Sequence, residues 1–182
     1  MFTYPYQILK LRLQTQVTEL REVDWYLEQD SIKDKRSSIK ALPSAYIEFF
    51  PVNMIDEGNR MQSSIGEFNV HLVTENMFDT DQRMKKDQPI DHMRIFDKVF
   101  QNLHGFSSLI SYLPEFVALK DTEADMKMFN SISRIGITPP HQFQKSLMKS
   151  VQRFRAKFYD HAATPTYAPA SPPPEITTEV EL

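Results

Sequence analysis

Leu42 to Thr74 reads LPSAYIEFFPVNMIDEGNRMQSSIGEFNVHLVT. In its second half Phe68, Val70 and Leu72 alternate with Glu67, Asn69 and His71. A period of two marks a strand with one dry face and one wet face. Ala45 to Phe50 reads as a partner strand, stopped or pushed to an edge by Pro51, which cannot donate to a ladder. Between them, Asn53 to Arg60 carries Asp56-Glu57-Gly58-Asn59, the chemistry of a turn. The second strand is expected over Met61 to Thr74, with Gly66 marking a bulge or kink. The stretch therefore predicts a long β-hairpin with a polar tip and no catalytic constellation.

Helical spacing flanks this hairpin. Tyr6, Leu9, Leu13, Val17 and Leu20 form one apolar stripe, predicting a helix from Pro5 to Glu22 with Thr3 as its N-cap. Val23 to Leu27 has the residues of a short strand. Ser31 to Lys40 is polar and basic, a solvated loop. After a charged connection, Glu75 to Pro89, a second helix is expected over Ile90 to Leu103. Its apolar face is Met93, Phe96, Val99, Phe100 and Leu103, and Gly105 stands where a left-handed cap belongs. Phe106 to Lys120 is ambiguous, a short helix broken at Pro114 being one reading. Met126 to Ile137 reads as a strand closed by Pro139-Pro140, and Leu147 to Tyr159 as a last strand. In that strand Phe154, Ala156 and Phe158 alternate with Arg153, Arg155 and Lys157.

The expected fold class is α+β: a mostly antiparallel twisted sheet with a long hairpin and helices on one face. Residues 1–161 make one domain. Residues 162–182 are proline-rich and poor in large apolar side chains, so they form an extended or disordered tail unless a neighbouring chain captures them.

Composition narrows the function classes. The 182 residues are 41% hydrophobic, enough for one substantial core. A net charge of -3 gives no global basic footprint for nucleic acid. Cysteine is absent, so disulfides and thiolate metal sites are excluded. No leader sequence and no membrane span is legible, which leads to the expectation of a soluble protein of cytoplasmic origin.

Catalytic chemistry finds no foothold in this pattern. His71, His92, His104, His141 and His161 are scattered, with no spacing of three or four that would put two on one helix face. They read as surface histidines. Asp79, Asp81 and Asp87 lack the glycine and closing glutamate of a calcium loop. There is no glycine-rich phosphate loop and no nucleophile elbow. The chain is expected not to be an enzyme, with no cofactor and no metal.

A basic face on the last strand, Lys145, Lys149, Arg153, Arg155 and Lys157, could follow a phosphate backbone. It reads equally as the wet face of an amphipathic strand, or as an edge guarded by charge. Tyr4, Tyr6, Trp25 and Tyr26 crowd one end of the chain and suit either an interface or the core.

The order of elements is also familiar. An N-terminal amphipathic helix leads to VDWYLEQ, then LPSAYIEF, QSSIGEFNVHLV, a helix IFDKVFQNLHGF and a late strand SVQRFRAKFYD. From Tyr6 to Asp160 this resembles the tail terminator (tail-completion) family of tailed bacteriophages, especially versions from phages of Bacteroidetes hosts. The resemblance implies a non-catalytic virion protein assembled in the bacterial cytoplasm, forming a homo-oligomeric ring, a hexamer, at the head-proximal end of the tail tube. Its implied partners are the tube protein, the sheath in a contractile tail, and the head-tail connector or stopper, with DNA passing through the lumen. On this reading Asp56, Glu57, Asn59 and Arg60 make an axial contact, and Arg153, Arg155 and Lys157 face the ring interface or lumen. The hairpin and the last strand would supply complementary edges. A different neck ring, the cap of a contractile injection system, and a small nucleic-acid-binding module remain as alternatives.

Overall fold

The computed structural model describes residues 2–27, 41–58, 61–75, 88–109, 127–144 and 147–160. Helix α1 spans Thr3–Gln16 and α2 spans Gln88–Leu103. The strands are β1 (Glu22–Trp25), β2 (Ser44–Phe49), β3 (Ile55–Asp56), β4 (Gln62–Glu75), β5 (Ser108–Leu109), β6 (Lys127–Phe129), β7 (Ser133–Gln144) and β8 (Leu147–Asp160). The loop expected at Ser31–Lys40, most of the connection after Glu75, and the tail from 162 lie outside the described residues.

The strands form one sheet in the order β1-β2-β4-β8-β6-β5, with β3 added to β4 and β7 to β8. The β1–β2 pair is parallel and all the others are antiparallel. The expected hairpin is present: β2 and β4 pair in register from Ser44↔Val73 to Phe49↔Phe68. The α+β fold read from the sequence is therefore the observed one.

The spine of the sheet is β4 against β8, paired without a break from Gln62↔Asp160 to Glu75↔Leu147. Phe68, Val70 and Leu72 on β4 and Phe154, Ala156 and Phe158 on β8 are all buried and share one face. Both helices cover that face, with Ile8, Leu9 and Leu13 from α1 and Ile95, Phe96, Val99 and Leu103 from α2 in the same core. Phe68 stacks on Phe154 at 5.4 Å between centroids, and Phe158 meets Phe49 edge-on. These aromatic pairs weld three adjacent strands beneath the helices.

Several expectations need correction. The first helix ends at Gln16, six residues early, and Thr3 lies inside it; Phe2 takes the cap position with no side-chain bond. Val17 and Leu20 are still buried, but from the turn that follows, so the apolar spacing outruns the helix. Gly66 makes no bulge, since it pairs directly with Ala156. A Cβ there would sit 2.9 Å from both Phe158 and Val52, so glycine admits a close approach. Met93 is exposed, and Ile95 takes its place in the core. Gly105 does have the expected left-handed φ of 80°.

The strand expected over Met126–Ile137 is two strands, β6 and β7, separated at residues 130–132. Pro139 and Pro140 do not close β7 but lie inside it. They are tolerated because β8 is its only strand partner among the described residues, and the ladder shifts register between Thr138 and His141. The proposed edges were also misplaced: β8 is paired on both sides, and the β2/β4 hairpin is flanked by β1 and β8.

Candidate functional site: the polar face of the sheet

No described helix covers the second face of the sheet. Three clusters follow one another along it. At the Tyr26 end, Tyr46, Val73 and Leu147 form a small buried group with Tyr26 and Leu42 packed on it. Burial raises the Tyr46 hydroxyl to about 12, so it stays protonated and donates to Glu22 Oε2 at 3.2 Å.

In the middle lies a polar row across β2 and β4. Glu48 Oε2 accepts from Asn69 Nδ2 at 2.9 Å and meets His71 Nε2 at 2.8 Å. The His71 ring lies flat on Tyr26, with centroids 4.0 Å apart, while Lys149 stands 5.2 Å above the Tyr26 ring. His71 is thereby buried, although it falls on the wet face of the alternation.

Three of the cations singled out in the sequence, Arg153, Arg155 and Lys157, come next, and each of these has a carboxylate; Lys145 lies outside the described residues. Glu67, opposite Arg155 in the ladder, grips two guanidinium groups. Its Oε1 accepts from Arg155 Nη2 at 2.6 Å, and its Oε2 lies 2.7 Å from Arg153 Nη2. Arg153 also sits over the Phe50 ring. Lys157 Nζ donates to Glu57 Oε1 at 2.7 Å, and Ser63 Oγ donates to the same oxygen. The hydrogen bond from Arg155 holds the Glu67 carboxyl below its usual range, and that from Lys157 does the same for Glu57.

The Glu57–Lys157 pair joins the hairpin tip to the last strand, two places that the sequence reading treated as separate sites. Glu57 belongs to both. Asp56 has a local role: its Oδ1 accepts from the Gly58 N–H at 2.9 Å, shaping the turn, and Gly58 has a left-handed φ of 81°. Asn59 and Arg60 lie outside the described residues. Beside the Glu57–Lys157 pair, Ile55 and Ile65 are 64% and 68% exposed, an apolar pair that the charged tip had masked in the sequence.

The histidine reading needs a second correction. His92 is 1% exposed on the helix-covered side. Its Nδ1 is 2.8 Å from Thr74 Oγ1 on β4, and its Nε2 is 2.8 Å from Ser150 Oγ on β8. Burial, with the charge of His141 behind it, pushes its pKa down to about 4, so the ring is neutral at pH 7. Gln152 reinforces the same junction by donating to the Phe96 carbonyl at 2.6 Å. A serine and a histidine in contact suggest acyl-transfer chemistry, but Ser150 is fully buried and its hydroxyl is engaged by His92, the geometry of a packing contact. The pair docks α2 on the sheet. Among the described residues no group of three His, Asp or Glu side chains could hold a metal ion.

No family model matches the chain, and no curated protein matches it. The fold is similar to a chain in the virion of a native gene transfer agent (GTA) particle. The TM-score is 0.41 and the identity 11%, over 85% of this chain and 91% of that one. A likeness at that level establishes neither a family nor a role.

Proposed function

We propose that the protein is a structural subunit of a phage-type virion, a ring of the tail-terminator kind that ends tube growth and meets the head connector. The reading rests on the element order. The helix, short strand, hairpin, second helix and late strand that carry the resemblance fold around one sheet, with both helices on one face. A subunit of this form has a rigid, helix-backed core and keeps a broad strand face for neighbours. Ile55 and Ile65, beside the Glu57–Lys157 pair, are where a neighbouring copy or the tube rim would seat.

The nucleic-acid reading loses its main support. Arg153, Arg155 and Lys157 are each held by Glu67 or Glu57, which leaves them less able to neutralise phosphates and so to release the counterions condensed on DNA. A lumen lined by this face would let DNA slide without gripping it. No helix among the described residues is long and apolar enough to cross a membrane.

Negative-stain imaging of the purified protein, alone and with tube protein, tests the proposal. Rings of uniform diameter, and tubes carrying one such ring at an end, are the expected result. Monomers that leave tube ends bare would overturn it.

A further inference from the structure

The outer edge of β7 is an anomaly in this sheet. Its inner edge pairs with β8, while on the outer side Arg134 N–H reaches His104 Nδ1 at 3.3 Å, near the start of the strand. Beyond that point Ile135 and Ile137 are 42% and 55% exposed, two apart on one strand. An edge with no strand on its outer side among the described residues, and with an exposed apolar row, invites pairing with an available strand.

The chain contains a segment that fits it. Glu175 to Leu182 reads EITTEVEL, with Ile176, Thr178, Val180 and Leu182 alternating with Glu175, Thr177, Glu179 and Glu181. That is the period and the β-branched composition of a strand with one apolar face. The charges are complementary as well, since Arg153, Arg155 and Lys157 outnumber Glu67 and Glu57, the carboxylates that hold them, by three to two. From Met126 to Tyr159 every Asp, Glu, Lys or Arg is a cation, and from 161 to 182 every one is a glutamate. Reach is sufficient. Ile137 stands level with Gln152 on β8, eight residues back from Asp160, or about 26 Å at the rise of a strand. The proline-rich stretch 161–174 can span up to about 43 Å when extended.

We propose that Glu175–Leu182 docks as an added strand on the outer edge of β7 in its own chain. The row Ile176, Val180 and Leu182 would meet Ile135 and Ile137, and the glutamates would face the basic β7–β8 hairpin. Pro139 and Pro140 lack N–H groups, and the ladder to β8 also shifts register between Arg134 and Gly136, so regular backbone pairing is confined to Gly136–Thr138, with Ile135 at its margin. The added strand closes an edge that would otherwise pair without control. Tethering supplies a high effective concentration, so a short contact suffices. The proposal is independent of the ring reading.

The absence of cysteine makes the test clean, since only introduced thiols can pair. The full chain carrying Ile137→Cys and Val180→Cys is oxidised in dilute solution, beside a control with Asp97→Cys and Val180→Cys. Ile137 and Asp97 are both exposed, so neither change disturbs the core. The expected result is a disulfide within one chain that forms at least tenfold faster than in the control. Adding Glu179→Lys and Glu181→Lys should slow it severalfold. A rate within twofold of the control, or disulfides only between chains, would overturn the proposal.

Discussion

Acidification should loosen the junction between α2 and the sheet through one side chain, His92. The folded protein holds this imidazole neutral, with its pKa lowered from 6.5 to about 4 by burial. The unfolded chain binds a proton near pH 6.5 and the folded one does not, so stability falls as pH drops through that interval. Above pH 6.5 the contribution is fully present. A gap from 6.5 to about 4 is worth about 3 kcal/mol, and about 2 kcal/mol of that is lost between pH 7.5 and pH 5. The charged neighbours on every side enter this balance: His141 from β7, and Arg21, Glu75 and Asp91 around the adjoining cleft. They are common to wild type and variant. Urea unfolding of wild type and His92→Gln at several pH values isolates the histidine. At pH 7.5 the variant should be less stable by about 1–2 kcal/mol, because glutamine cannot keep both hydroxyl partners. Near pH 5 the two should converge. A stability difference that stays constant across this range would refute the argument, whatever the size of the single-pH effect.

Other substitutions probe the core and the polar face. Gly66→Ala should lower stability by about 1–3 kcal/mol in urea titrations, because its Cβ must displace Phe158 and Val52. Phe154→Ala, which empties a fully buried site between Phe68 and the helices, should cost about 3–5 kcal/mol in the same measurement. Glu67→Gln combined with Glu57→Gln frees the three cations. Affinity for duplex DNA measured by fluorescence anisotropy should then rise at low salt, and the log–log salt slope should steepen by up to about 3. An unchanged slope would mean that those cations were never restrained by their carboxylates.

The parts legible in the sequence were those with a strict local period. Phe68, Val70, Leu72 and Phe154, Ala156, Phe158 fixed the dry faces of β4 and β8, and Gly105 marked the end of α2. Local pattern failed where apolar spacing continued beyond its element. Val17 and Leu20 extend the stripe of α1 by geometry that a turn satisfies as well as a helix does. The site was hidden for a different reason. Glu67 meets Arg155 from 88 residues away, and His92 meets Ser150 from 58. Such partners are set by strand order, which alternation does not encode. The same cause placed β8 at an edge in the sequence reading, when it is the spine of the sheet. The exposed Ile55 and Ile65 were legible in principle, as apolar residues on the wet side of a polar tip.

The claim that this protein terminates a tail tube is tested most directly by tube growth itself. Purified tube protein is allowed to polymerise, the protein is added at one ring equivalent per tube end, and lengths are followed by electron microscopy. The account predicts that elongation stops at once, with Ile55→Asp and Ile65→Asp together weakening the block. Continued growth at the untreated rate, with the added protein folded and in excess, would contradict it.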